Sequence, residues 1–333
     1  MAEKTCKTDN LHSKQDSYQQ CIGFSIERFY LVGMKELHHI CFTSHDEVMF
    51  RDEEDHGMFV NLMALRCFSS NTEIVVDAEM STHVHQAVFS ARPLEFARRE
   101  RMSYTKYFNY KYGRYGRLGQ KYTFLQPVKG FMHQMTLSSY ILRNGLHHSA
   151  VSAAFGYPYC TIRDLFSDNL GFGRTAKANY SRQEMASYLP RHAEFPDEFE
   201  MDSSGVFLRR SFMEIRQAEQ YYVTPRNYLY QMNRLTDENW FREQLKDETG
   251  APLTLADIEH ADEQSVARML KNESGRNIPR MQDLEVCKLI DRDLLQGVVS
   301  VYGLSDSRKK EIARQLFYEY HLPEHQIRRC LVM

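Results

Sequence analysis

Residues 80–89, Met-Ser-Thr-His-Val-His-Gln-Ala-Val-Phe, limit the fold of this chain more than any other stretch. The run suits a short buried strand, on which positions i and i+2 share a face. His83, His85, Ala87 and Phe89 then point one way, and Val84, Gln86 and Val88 the other. Cα atoms two residues apart on a strand are roughly 7 Å apart, so two imidazoles on one face can converge on one ion. A His-x-His pair alone is common in ordinary strands, and two ligands do not make a metal site. A third has to come from elsewhere in the chain.

Around this strand the sequence reads as α+β. Residues 29–34, Phe-Tyr-Leu-Val-Gly-Met, predict a first strand, followed by a loop through His45. Asp52 caps a helix whose acidic first turn complements the positive helix end. Met58, Phe59, Leu62, Met63 and Leu65 carry that helix to about Cys67. Ser69-Ser70-Asn71 is a turn, and 72–78 a second strand leading into the histidine strand. Pro93 opens a second helix, to about Asn109, at a position that tolerates proline. A third helix covers 130–144, with Met132, Met135, Leu137 and Ile141 inward. On it Tyr140 and Asn144, at i and i+4, share a face. The ordinary fate of such a tyrosine is a half-buried core position. His133 and His148 fall near the same stripe. Strand, helix, strand, strand is the opening of a small α+β domain with an antiparallel sheet and helices packed on it.

Residues 151–223 read as a connecting region of short elements with no evident chemistry. The remainder is helical, with starts at Thr224-Pro225, Thr236-Asp237-Glu238 and Asp262, and stops at Gly250 and Gly275. Leu284, Cys287, Ile290, Leu294 and Val298 form a further apolar stripe closed by Gly303. A helix from Ser307 to about Tyr318, a turn at His321-Leu322 and a helix opening at Pro323 read as helix-turn-helix. Ile312, Ala313, Leu316, Ile327 and Leu331 would lie inside. Arg308, Lys309, Lys310, Arg314, Arg328 and Arg329 would meet a DNA backbone. The competing reading is a plain helical hairpin packed on a bundle.

The 333 residues, 42% of them hydrophobic, suffice for two or three domains with real cores. Residues 1–20 are polar and lack the apolar run of a signal peptide or anchor, and no stretch approaches the ~18 apolar residues of a spanning helix. The seven cysteines are scattered and contain no Cys-x-x-Cys. That pattern fits a reducing cytoplasm rather than a disulfide scaffold or a cysteine zinc site. The net charge of −2 is silent about partners. Local charge is not. Between Arg92 and Lys129 stand ten basic residues, opposed only by Glu95 and Glu100 and interleaved with tyrosines. Cations neutralise phosphates and aromatic rings stack on unpaired bases, so the segment reads as a nucleic-acid surface. The residues placed on it are Arg98, Arg99, Arg101, Lys106, Tyr107, Lys111, Tyr112, Arg114, Arg117 and Lys121. The plain alternative is a solvated basic helix with tyrosines partly in the core.

Three segments carry a resemblance to the HUH single-tyrosine transposases, of the REP-associated type. Met80-Ser81-Thr82-His83-Val84-His85 is similar to that family's Met-Pro-Asn-His-Val-His. Tyr104-Thr105-Lys106-Tyr107-Phe108-Asn109, followed by Lys111-Tyr112-Gly113-Arg114, is similar to its Tyr-Thr-x-Tyr-Phe-Asn and Arg-Tyr-Gly-Arg. Tyr140-Ile141-Leu142-Arg143-Asn144 is similar to its nucleophile helix, Tyr-Ile-x-x-Asn. The match spans roughly residues 28–160, with the motifs in the same order. The chain departs from the family at Ser81-Thr82, at Gly145-Leu146-His147 and around Leu118-Gly119-Gln120-Lys121.

The resemblance implies a ferredoxin-like HUH domain over 25–165, after a polar tail over 1–24. A connecting and helical region over 166–280 and a helix-turn-helix-like segment over 281–333 would follow. It implies that His83, His85 and Asn144 hold one Mg²⁺ or Mn²⁺, and that Tyr140 attacks a phosphorus of single-stranded DNA beside a hairpin. The products would be a 5′-phosphotyrosine and a free 3′-OH, rejoined without ATP. Whether Tyr140 meets its own chain's metal or that of a second copy in a homodimer stays open. Three other readings compete: a non-cleaving DNA-binding regulator, an RNA-binding protein, and a zinc hydrolase built on His83, His85 and His133 or His148.

Overall fold

The computed structural model describes residues 36–44, 46–148, 150–151, 153–233, 281–295 and 297–333. The strand expected over 29–34 and the helix boundaries expected at Thr236, Gly250, Asp262 and Gly275 lie outside the described residues. Contacts divide the chain after Glu36, and the elements from Leu37 onward form one unit.

That unit opens with β1 (Leu37–Thr43), α1 (Glu53–Ser70), β2 (Glu73–Met80), β3 (His83–Phe89), α2 (Pro93–Tyr112) and β4 (Phe124–Val128). The four strands make one sheet in the order β2-β3-β1-β4, every pair antiparallel. It is the split β-α-β arrangement, in which each helix carries the chain across the sheet. The α+β reading with an antiparallel sheet holds.

Two strands lie where none was expected. The sequence reading runs a loop through residues 37–43, yet they form β1, a central strand. Its histidines make it look polar, but His39 is fully buried and only His38 is partly exposed. Strand β4 was missed because Pro127 argues against a strand interior. It sits at the sheet's edge, where a missing N–H costs no ladder bond. The histidine strand starts at His83 rather than Met80. Met80 ends β2, and Ser81-Thr82 turn the chain into β3.

The first two helices end later than their spacing suggests, because their caps sit further on. Asp52 accepts the Asp55 N–H at 2.9 Å to start α1. Asn71, left-handed at φ 48°, closes it on the Cys67 and Phe68 carbonyls. Pro93 begins α2, and Gly113 at φ 62° caps it after Tyr112, three residues past Asn109.

Each face of the sheet has its own core. Ile40, Phe42, Val84 and Val88 meet Phe59 and Met63 of α1 and Phe96, Tyr104 and Phe108 of α2. On the other face Leu37, Ala87 and Phe89 meet Met135, Tyr140 and Ile141 of α3 (Phe131–Leu142). Each of the larger aliphatic and phenylalanine side chains contributes about 1.5–3 kcal/mol by leaving water. The third helix is not continuous to Asn144. It stops at Leu142, and Asn144 opens a separate single turn, α4 (Asn144–His147).

Short helices follow: α5 (Ser167–Leu170), α6 (Arg182–Ser187), α7 (Ile215–Tyr222) and α8 (Pro225–Asn233). The connecting region does more than connect. Arg209 reaches back to the sheet, its Nε 3.0 Å from Asp77 Oδ1 and its Nη2 on Glu79. Beyond it, α9 (Asp283–Leu289), α10 (Asp306–Tyr318) and α11 (Glu324–Leu331) share a core of Val286, Ile290, Ile312, Leu316, Ile327 and Leu331. The fully buried Arg51 ties this group to the start of α1, bonding Asp291 at 2.8 Å and the Cys330 carbonyl at 2.9 Å. Arg329, expected on a DNA backbone, instead faces inward and donates from Nη2 to Asp283 Oδ1 at 2.8 Å. Arg328 pairs with Glu324 and Arg308 with Glu311. Among the described residues, no helix is long and apolar enough to cross a membrane.

Candidate functional site

The period of two along β3 points His83 and His85 at the face that α3 covers, beside Ala87 and Phe89. From that helix Tyr140 comes down onto His85, ring centroids 5.4 Å apart and nearly perpendicular. The two imidazole centroids are 5.0 Å apart. Asn144, one turn on, holds its Oδ1 3.2 Å from His83 Nε2. The four residues named from sequence therefore meet in space, within one chain. Tyr140 stands against its own chain's His85.

Three neighbours, His39, Cys41 and His147, escape sequence reasoning, and a fourth, His148, enters it only as a candidate zinc ligand. His39 Nε2 lies 2.9 Å from His85 Nδ1, with the two rings stacked. Cys41 Sγ is 3.9 Å from His85 Nε2. Both come from β1, paired with β3 so that Cys41 lies opposite His85. Once β1 is read as a strand, His39 and Cys41 fall at i and i+2 on the histidine face; that was the available signal. From α4 and the residue after it, the His147 ring lies 5.5 Å from Tyr140 and the His148 ring 4.6 Å from His83. His133 sits two helical turns before Tyr140 and is not brought to this group. Among the described residues, no three His, Cys, Asp or Glu side chains form a group able to hold a metal ion. A three-histidine zinc site is thus not built among the described residues.

Burial, followed by the charges of the neighbouring imidazoles, drives the His85 pKa well below the ordinary histidine value. Burial pushes His39 down to about 3 and His147 to about 4. These rings are neutral at pH 7, with lone pairs to give. If His85 donates its Nδ1–H to His39 Nε2, its own Nε2 keeps a free lone pair. Among the described residues, His39 Nδ1 and Asn144 Nδ2 have no hydrogen-bond partner. Solvent barely reaches the cluster: His83 is 2%, Tyr140 1%, His85 0% and Asn144 0% exposed.

The basic-aromatic segment divides in two. Lys111 Nζ lies 2.8–3.0 Å from the carboxylates of Asp52, Glu54 and Asp55. Tyr107 and Tyr112 donate to Asp55 at 3.1 and 2.8 Å. Arg114 pairs with Glu47 and donates to Asn109 Oδ1. These four, assigned to DNA from sequence, are occupied inside the protein. The start of α1 lies beside the end of α2, a closeness that nearly sixty residues of intervening sequence hide. By contrast Arg98, Arg101, Lys106, Arg117 and Lys121 line one groove between α2 and the approach to β4. Arg99 pairs with Glu95 at 2.6 Å on an adjoining hollow. Glu100 points the other way. It is buried against Gln86, and burial raises its pKa to about 8, so it does not oppose the basic edge.

No protein-family model matches this chain, and no curated protein does. Among solved structures, a REP-associated tyrosine transposase bound to a REP hairpin matches over 41% of this chain and 83% of its own. The identity is 12% and the TM-score 0.36, a likeness too loose to establish a shared fold or family.

Proposed function

We propose that this chain cuts and rejoins single-stranded DNA beside a hairpin, in the manner of the HUH single-tyrosine transposases. One observation carries the reading: a phenol, two imidazoles and an amide meet in one buried cluster of one chain. The donor chemistry suits Mn²⁺ or Mg²⁺ held by His83, His85 and Asn144, since burial keeps His85 neutral and the amide offers a carbonyl oxygen. When bound, such an ion supplies Lewis acidity to a non-bridging oxygen of the scissile phosphate.

The chain's own residues do the rest. The α3 core holds the Tyr140 phenol against the histidine strand, so the nucleophile needs no search. Its oxygen forms the new bond to phosphorus as the bond from phosphorus to the 3′ oxygen breaks. The phenol loses its proton and the departing 3′ oxygen gains one. The phosphodiester is kept as a tyrosine ester, so the reverse attack by a 3′-OH restores DNA without ATP. His39 fixes the orientation of the His85 ring through the 2.9 Å bond.

One observation favours a second reading. Tyr140 is 1% exposed, so a strand reaches it only after the cover opens. A protein that stays closed would bind DNA and not cut it. The test is a nicking gel with an end-labelled hairpin oligonucleotide carrying single-stranded flanks, with MnCl₂ or EDTA. Mn²⁺-dependent nicking that Tyr140→Phe abolishes while binding persists supports cleavage. Tight binding without nicking by the wild-type chain supports the regulator.

A further inference from the structure

The fold neutralises cations where it has acids to do so, as Lys111 and Arg114 show. Five others in the same segment are left without. Arg98, Arg101, Lys106, Arg117 and Lys121 border a single groove of about 530 Å³. Among the described residues none of the five is paired with a carboxylate. Glu95, the acid of the adjoining hollow, is taken by Arg99 and Arg92. Arg101 is the telling member. It is 8% exposed, and its Nη1 donates only to Thr123 Oγ1, at 3.2 Å. A guanidinium so covered is normally answered by a carboxylate. Burial and then the nearby Arg117 charge both push its pKa down, as expected where an anion is missing.

The groove also has an aromatic edge. Tyr122 is 77% exposed, with Lys121 Nζ 5.5 Å from its ring centroid. An exposed ring flanked by cations is the platform on which unpaired bases stack.

Its position matters as much as its charge. Helix α2 covers the sheet face opposite the histidines, and β4 is the edge strand. The groove therefore opens on the other side of that edge from the histidine cluster. The two are joined within a few residues. Thr123 lines the groove, the next residue, Phe124, lays its ring 5.2 Å from that of His39, and His39 bonds His85.

We propose that this groove holds the phosphate backbone of a single nucleic-acid strand, with a base on Tyr122, and anchors it around the β4 edge apart from the histidine site. The inference rests on the reading of the substrate as single-stranded DNA, and deepens it.

The test uses the full chain and a fluorescent oligothymidylate without a hairpin. Arg98 and Arg117 are exposed and, among the described residues, not paired with a carboxylate, so Arg98→Ala/Arg117→Ala should fold normally, as checked by circular dichroism. Each phosphate contact on a single strand contributes about 0.7 to the slope of log affinity on log salt. Removing two should flatten the slope by about 1.4 and weaken binding on the order of 20-fold at 0.1 M salt. Tyr122→Ala should weaken binding with the slope unchanged. Mn²⁺ affinity, measured by calorimetry, should not move in any of these variants. Unchanged affinity and slope in the double variant overturn the groove. Running the nicking assay on the wild-type chain separates the two claims. A protein that never nicks, yet binds through Arg98 and Arg117, refutes cleavage and keeps the groove. A protein that nicks and ignores them refutes the groove alone.

Discussion

At the scale of single residues, His39 and Glu100 do work that their neighbours in sequence conceal. His39 is the partner that orients His85, and its ring is itself held by Phe124. Outer partners of this kind typically matter by 10–100-fold in metal affinity. His39→Phe should therefore weaken Mn²⁺ binding by about 10-fold or more, read by calorimetry, with the circular dichroism spectrum unchanged. Unaltered affinity would reject the orienting role. Glu100 is fully buried, accepts one bond from Gln86 at 2.8 Å, and leaves Oε2 unpartnered. Its folded pKa of about 8 lies above the unfolded value, so the unfolded chain ionises first as pH rises. Stability is thus fully present below pH ~4.5 and drains away up to about pH 8, by about 1.4 kcal/mol per unit. Glu100→Gln keeps the acceptor and cannot ionise. Its melting temperature should match the wild type near pH 4 and exceed it increasingly toward pH 8; a constant offset would contradict the assignment.

Among the elements, the contact between the start of α1 and the end of α2 explains which cations are structural. Lys111 sits among three carboxylates, one of them the buried Asp55. Removing one partner of such a set costs about 3 kcal/mol. Lys111→Met should lower stability by that order in urea unfolding, and leave the salt dependence of DNA binding as it was. A changed salt slope with unchanged stability would reverse the assignment. Sequence spacing was legible wherever one element sufficed. The i, i+2 rule put both histidines on one face, and the i, i+4 rule brought Tyr140 and Asn144 together even though the helix breaks at Arg143. It failed where two elements had to be known at once. Strand β1 hid behind its histidines, β4 behind Pro127, and the Asp52–Lys111 contact behind the sequence between them. The inward turn of Arg329 toward Asp283 was hidden in the same way, by an acid lying 46 residues earlier.

Over the whole molecule, chemistry and charge lie on different sides of one sheet. The histidines, phenol and amide are sealed under α3, while the unpaired cations gather beyond the β4 edge. Helices α9 to α11 are fastened beside the histidine strand: Ser81, two residues before His83, donates to Asp283 at 2.7 Å. On the proposed reading a strand reaches the buried Tyr140 only after a local opening, so binding and cutting should be separable steps. The central claim is that Tyr140 becomes covalently joined to DNA, and peptide mapping measures it most directly. The full chain is incubated with a hairpin oligonucleotide and Mn²⁺, digested with nuclease and protease, and its peptides are weighed. A nucleotide remnant on Tyr140, absent with EDTA and absent in Tyr140→Phe, is the predicted result. A remnant on another residue, or none from a wild-type chain that binds the oligonucleotide tightly, would contradict it.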